Sequence, residues 1–392
     1  MAREVMDRRA FLKIGAGAAS TGLAGCSFEP EQRPQGAAYA PWTLWDDAGV
    51  RGTPLALVSA AILAANPHNT QPWLFRISNE AIEVFADLSR HLGAMDPFVR
   101  EMHLGIGCAL ENAVLAAAAN GYAVTVDPAP GSLLGVTRRS CATPVATLHL
   151  ARRSALAVDP LHRAIPLRHT NRGAYLRDAS IAPEWLAAAR AYDGREDIRV
   201  MLLDGGEHRA AFDAVTIDAT KAIIADEVMI ADSDVWFRDS AAQIDLHRDG
   251  PSLETAGLSG IKLALARVLP ISPESAHAGW LSQTTMQLET APLAGLIVVR
   301  DRFDRPTALR AGRAWQRLHL TAVTHGVALQ PMNQAIEMID RECQRGNGTG
   351  FTDRLAALTG PDWTATFAFR AGRPGSKAPP AARRALSAVI EA

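Results

Sequence analysis

The chain has 392 residues, 48% of them hydrophobic and 21% charged, with a formal net charge of −1. That makeup suits a soluble globular protein with a large core, and length alone suggests two or three domains. The near-neutral balance gives no bulk signal for nucleic acid or an anionic membrane. The four cysteines, Cys26, Cys108, Cys141 and Cys343, are too scattered for a disulfide scaffold or a metal site.

Residues 1–26 read as an address. Asp7-Arg8-Arg9-Ala10-Phe11-Leu12-Lys13 resembles the twin-arginine export motif, and the small, apolar run Ile14–Gly25 supplies its hydrophobic region. Leu23-Ala24-Gly25-Cys26 reads as a lipoprotein box with Cys26 the lipidated residue. Twin-arginine machinery carries folded proteins, which suits a chain that collects a cofactor before export. The expectation is an envelope or periplasmic lipoprotein that touches the membrane only through its lipid anchor. Residues 27–45, rich in Pro, Gln and Gly, read as a tether. No later apolar run reaches the roughly 18 residues of a membrane span.

An alanine- and leucine-rich helix is expected over Leu55–Ala65, with Thr53 as N-cap and Pro54 at its first position. It stops at Asn66, because the residue before proline is pushed out of the helical region. The string Asn66-Pro67-His68-Asn69-Thr70-Gln71-Pro72-Trp73 then carries amide, imidazole and hydroxyl groups to the edge of a strand. Such a loop suits the rim of a polar aromatic ligand, and it equally suits a connector whose side chains cap backbone groups. Strands are expected over Trp73–Ile77 and Ile82–Phe85 about a Ser78-Asn79-Glu80 turn, followed by a helix over Ile106–Asn120 that Gly121 stops. Further strands fall around Ala123–Thr125 and Val145–Leu150.

Gly107, Ala109, Leu115, Ala117 and Gly121 match Gly312, Ala314, Leu320, Ala322 and Gly326 at a constant offset, 312 − 107 = 205. This is the sign of an internal repeat. Between the two copies, Arg168-His169-Thr170-Asn171-Arg172 places two guanidinium forks about a hydroxyl. That arrangement is a good cradle for a phosphate dianion if the segment is helical, or else a solvated basic turn. Ile198–Leu203 and Leu293–Arg300 read as strands, with a helix between them over Glu207–Glu227. The stretch 236–285 reads as an inserted lid, and Thr364–Phe369 as a last strand. No HExxH, HxH or Gly-x-Ser-x-Gly string occurs, so neither a metal nor a nucleophilic side chain is expected.

Two of these strings resemble motifs of the FMN-dependent nitroreductases. Asn69-Thr70-Gln71-Pro72-Trp73 is similar to their asparagine–x–glutamine–proline–tryptophan loop, which borders the flavin from the neighbouring subunit. Arg168, Thr170 and Arg172 are similar to their arginine–x–serine–x–arginine phosphate motif. The resemblance implies an α+β fold in which two fused halves, 46–160 and 161–392, form a pseudo-dimer of antiparallel or mixed sheets flanked by helices. One clamp and the opposite rim loop survive, which implies one FMN per chain. Asn66, Pro67, His68, Asn69 and Gln71 would rim the flavin, and Pro331, Met332, Asn333 and Gln334 would lie against its ring. Arg383 would add to the phosphate site. The implied activity is reduction of nitroaromatics or quinones, with NAD(P)H, a quinol or a redox protein as donor. The alternative is a flavin-sequestering protein of the Acg type, with the lid closed over the ring.

Overall fold

The computed structural model describes residues 36–136, 143–192, 196–268 and 272–391. The expected export signal, Cys26 and the expected tether up to residue 35 lie outside the described residues, as does Cys141.

The first half builds an antiparallel sheet from β1 (Trp73–Ile77), β2 (Ala81–Ala86), β3 (Tyr122–Pro128) and β4 (Ala146–Arg152), in the order β1-β2-β4-β3. The β1–β2 hairpin sets Phe75 opposite Val84, and the Ser78 hydroxyl accepts from the amide of Ala81 at 3.0 Å to hold the turn. The second half builds β5 (Tyr175–Leu176), β6 (Ile198–Leu203), β7 (Leu293–Val299), β8 (Ala328–Pro331) and β9 (Thr364–Pro374). Here the order is β5-β9-β7-β6, with β8 paired to β9. All of β7 is buried. Leu293, Ile297 and Val299 face one apolar core while Ala294, Leu296 and Val298 face another, so helices must cover both sides of this sheet.

Twelve helices longer than a 3-10 turn flank the sheets among the described residues. They are α1 (Pro41–Leu44), α2 (Pro54–Ala61), α3 (Arg100–Ala117), α4 (Pro183–Arg190), α5 (Gly206–Ala225), α6 (Glu227–Asp234), α7 (Ala241–His247), α8 (Gly260–Val268), α9 (Pro273–Thr290), α10 (Arg305–Thr324), α11 (Gln334–Arg345) and α12 (Gly350–Thr359). The long helices α3 and α10, which carry the matched glycines, pack directly on one another. A Cβ on Gly107 would stand 2.2 Å from the Leu309 carbonyl oxygen, and one on Gly312 would stand 2.0 Å from that of Leu104. The two contacts exchange under the repeat, since 309 − 104 and 312 − 107 are both 205. The polar pairs beside them behave alike: Gln316 donates to Asn112 at 2.8 Å, and Arg317 donates to Glu111 at 2.8 Å.

Three expectations need correction. Helix α3 starts earlier than the sequence suggested, at Arg100, because Asp96 accepts from the amides of Glu101 and Met102 at 3.0 and 2.9 Å. The stretch Arg100–Asn120 does have the length and composition of a membrane span, yet 83% of that apolar window is buried inside the protein, as befits a core helix. Residues 36–45 are not tether. Trp42 is buried and its indole N–H donates to the carbonyl of Ala381 at 2.7 Å, while Arg383 N–H donates to that of Ala38 at 2.7 Å. The aromatic surface of this segment outweighs its Pro- and Gln-rich composition. The C-terminal tail crosses back to the first half, where Glu391 and Phe75 share a backbone hydrogen bond of 2.8 Å beside β1.

Candidate anion and cofactor site

The rim loop leaves α2 and turns sharply. His68, Asn69 and Gln71 all take left-handed φ values, 45°, 53° and 52°, each costing on the order of 1 kcal/mol for a side-chain-bearing residue. Its own polar groups hold the turn: Gln71 N–H donates to Asn66 Oδ1 at 2.8 Å, and Thr70 N–H to the Pro67 carbonyl at 2.9 Å. Beneath it, Pro67 rests on Gly105 of α3, where an added Cβ would lie 2.9 Å from Pro67 Cδ.

The clamp segment is not helical. A 3-10 helix over Pro160–Leu167 ends where Arg168 turns to φ −77°, ψ 108°, and residues 169–172 belong to neither helix nor strand. Arg168 and Arg172 are therefore not one helical turn apart, and no helix N-terminus adds to the cradle. The internal Pro166 lacks an amide hydrogen, which keeps the helix short.

These segments meet around one small cavity of about 50 Å³. It is lined by Asn66, His68 and Asn69 from the rim loop, Arg168, Thr170 and Arg172 from the clamp, and Arg383 from the tail. Among the described residues the lining holds three arginines and no carboxylate. Arg168 is 2% exposed, and among the described residues its guanidinium makes one hydrogen bond, from Nη2 to the Leu63 carbonyl at 3.3 Å, with Nε and Nη1 buried and unpaired. Burial pushes this guanidinium down to about 10, with the Cys108 thiol a small opposing influence. Arg383 is just as buried. Its guanidinium donates to Asn69 Oδ1 and to the carbonyls of Leu63, Ala64 and Ala382, and sits 4.7 Å from the Trp42 ring centroid. Burial and the nearby Arg168 charge hold it well below the ordinary arginine range. His68 contacts the Ser233 hydroxyl at 3.1 Å, and burial with the Arg172 charge lowers it to about 4, so it is neutral at pH 7. Uncompensated buried cations are costly unless an anion joins them.

The other predicted residues do different work. Gln71 is fully buried and points away from the cavity, donating to the Arg248 carbonyl at 2.8 Å and accepting from Arg384 N–H at 2.7 Å. Pro67 is packing, as described. None of Pro331, Met332, Asn333 and Gln334 lines the cavity. Met332 lies in the apolar core around α5, and Asn333 donates to Glu101 at 2.9 Å while accepting from Ala368 N–H at 2.8 Å. The turn after β8 is thus spent on closing that core. Sequence reasoning missed Trp42, His169, Pro251, Thr255 and Ala381. Only Trp42 carried a signal, as an aromatic in a polar run.

The 236–285 stretch is hydrogen-bonded to the rim loop. Asn69 donates from Nδ2 to the Gly250 carbonyl at 3.2 Å and accepts Gly250 N–H at its own carbonyl, also at 3.2 Å. Asp249 is buried between Arg90 and Arg238, which anchor the turn.

No family model matches the chain. Over 350 residues, 86% of the chain, it is 28% identical to a Mycobacterium tuberculosis protein of the CDC 1551 / Oshkosh strain, covering 90% of it. That relative is named a conjectured NAD(P)H nitroreductase, and its H37Rv counterpart matches to the same degree. Among solved structures, an FMN-dependent nitroreductase of Mycobacterium smegmatis in complex with NADPH aligns at a TM-score of 0.34 and 14% identity, over 58% of this chain and 90% of that one. A nitroreductase with bound FMN from Desulfitobacterium hafniense DCB-2 aligns at 0.32 and 13%, over 57% and 94%. These two likenesses are too distant to bear on function. Along most of its length, then, the chain is similar in sequence to proteins named as nitroreductases.

Proposed function

We propose that the chain is an FMN-dependent oxidoreductase of nitroreductase type with one flavin site, between a clamp from the second half and a rim loop from the first. The observation that carries this reading is Arg168, buried with two unpartnered guanidinium nitrogens in a cavity that holds two further arginines and no acid. A phosphate monoester dianion satisfies those donors and their charge. Arg168, Arg172 and Arg383 would hold it with the Thr170 hydroxyl, while Asn66, His68 and Asn69 bound the adjoining wall. Bound FMN would supply hydride and electron transfer from a donor to an aromatic acceptor such as a nitroaromatic or quinone. The protein binds, orients and screens, and neutral His68 offers a hydrogen bond without adding positive charge. NAD(P)H is the donor that the names of the sequence relatives favour. A quinol or redox protein would replace it if Arg8-Arg9 and Cys26 make the mature chain an exported lipoprotein. The reciprocal contacts of α3 and α10 support a fused, duplicated origin for the two halves.

A second reading has its own support. The insertion is hydrogen-bonded to the rim loop at Asn69 and Gln71, which favours a covered flavin with little turnover, as in the Acg-type proteins. The test is the visible spectrum of the chain without its export signal, titrated with FMN and then with NADPH. About one flavin per chain, bleached by NADPH, is expected of the enzyme. Flavin that stays oxidised with NADPH but is reduced by dithionite supports the covered form. Failure to bind FMN at all would overturn both.

A further inference from the structure

Three consecutive carbonyls of the clamp segment are taken by side chains from elsewhere. The Asn171 carbonyl accepts from the Tyr175 hydroxyl at 2.9 Å and from Arg370 Nη2 at 3.4 Å. That of Gly173 accepts from Arg370 Nη2 at 2.6 Å. Between them, the carbonyl of Arg172 accepts from Gln283 Nε2 and Gln287 Nε2, both at 2.9 Å. Gln283 and Gln287 are four residues apart on α9, so one face of that helix presents both. The ring of contacts then closes. Arg370 Nε donates to Gln330 Oε1 at 2.7 Å, Gln330 Nε2 donates to Gln287 Oε1 at 2.9 Å, and Arg370 Nη1 donates to the Gln287 carbonyl at 2.9 Å.

Arg370 is fully buried, stacked 3.8 Å from the Tyr175 ring centroid, and its recorded hydrogen-bond partners are all neutral acceptors. A buried cation satisfied by neutral carbonyls gives less stability than a packed apolar group would. Its geometric effect is specific, because it fixes the backbone on both sides of Arg172. The side chain of Arg172 leans the same way, donating to the Thr255 carbonyl at 2.8 Å. Both the backbone and the guanidinium of Arg172 therefore hang on residues that follow α5, in or beside the insertion.

We propose that Gln283, Gln287 and Arg370 are positioning residues that present Arg172 to the anion, so that phosphate affinity depends on helix α9 being seated. The coupling is reciprocal: a bound phosphate holds α9 down, and a lifted α9 loosens the phosphate. This deepens the flavin reading and rests on it. It makes the insertion a lock on the phosphate as well as a cover.

The test compares FMN with riboflavin, which lacks the phosphate, by flavin fluorescence quenching on the chain without its export signal. The variants are Gln287→Leu and the milder, less buried Gln283→Leu, both similar in size to the wild type. The expected result is a loss of FMN affinity of roughly tenfold in Gln287→Leu, the scale of one buried hydrogen bond, with riboflavin affinity within about twofold. A smaller loss of the same selectivity is expected in Gln283→Leu. Equal losses for the two flavins, or no change with FMN in either variant, would overturn the proposal. Inorganic phosphate, read as a rise in melting temperature, separates the two layers. A wild-type chain stabilised by phosphate but blind to FMN refutes the flavin reading, and the variants then test positioning through the size of that rise. A wild-type chain blind to both probes refutes the clamp and its positioning together.

Discussion

Gly107 of α3 and Gly312 of α10 touch backbone to backbone: a Cβ on Gly107 would lie 3.0 Å from the Gly312 Cα. Each glycine also faces the carbonyl of the leucine three residues before its partner, Leu309 and Leu104, so the contact reads the same from either helix. The close approach brings α3, which carries the rim loop on Gly105, against the half that carries the clamp. A side chain here would push the halves apart with no flexible neighbour to give way. Gly107→Ala and Gly312→Ala should each destabilise the chain by about 3 kcal/mol or more, beyond ordinary overpacking, because the clash is with backbone. Denaturant melts measure this; a loss under about 1 kcal/mol would mean the helices slide apart freely.

Arg168 has a cost without its anion. Replacing it by methionine removes a buried, half-satisfied guanidinium and should raise the stability of the ligand-free chain by on the order of 1 kcal/mol. The same change should weaken FMN binding roughly a hundredfold, the scale of lost charge-assisted bonds to a dianion. The opposite signs are the diagnostic, and melting of the free chain beside flavin titration reads both. A variant less stable when free would assign Arg168 a purely structural role.

Acid should destabilise the chain early. His103 is buried at the start of α3, where its Nδ1 hydrogen-bonds the Val99 carbonyl at 2.7 Å, and burial lowers it to about 4. In the unfolded chain it takes a proton near its usual 6.5. Above that pH both states are neutral and the group has no effect. As the pH falls from 6.5 toward 4 only the unfolded state gains the proton, and stability is lost, by about 3 kcal/mol at the lower limit. His103→Asn keeps a donor for Val99 and should flatten that part of the curve. Urea melts between pH 7 and 4.5 decide; an unchanged slope in the variant removes His103 as a cause.

The insertion should loosen when its anchor is cut. Asp249 is 5% exposed and accepts from both Arg90 and Arg238, so Asp249→Asn leaves two guanidinium groups short of a partner. Faster amide hydrogen exchange is expected across residues 248–256, together with easier quenching of bound flavin by iodide. If turnover with NADPH also rises, the insertion limits access; faster exchange with unchanged turnover assigns Asp249 to stability alone.

Much of the site could be read along the chain. The Asn66–Trp73 string, the Arg168 and Arg172 pair and the glycine-marked repeat are local signals, set by residue chemistry and helical periodicity. So were the strands of the first sheet and the strand over Leu293–Arg300, while the cover on both its faces came from the fold. The clamp's backbone stayed open along the chain, because two arginines four apart suit either a turn of helix or a basic turn; the structure ends the helix at Leu167, ahead of them. Pro331–Gln334 stays outside the cavity, and a string of amides looks the same along the chain whether it meets a ligand or, as Asn333 does, pairs with Glu101 and Ala368.

The sequence by itself determined which groups exist to hold an anion: guanidinium forks, a hydroxyl and an amide-rich loop. Tertiary structure alone decided that they converge. Arg168, Asn69 and Arg383 lie as far as 314 residues apart, and what joins them is a hydrogen bond from Arg383 to Asn69 and a shared acceptor at Leu63. No local pattern encodes that meeting. It depends on two glycines letting α3 and α10 touch and on a C-terminal tail that returns to pair with β1. Long-range closure of this kind is a property of the packed core, where burial energy is summed over the whole fold.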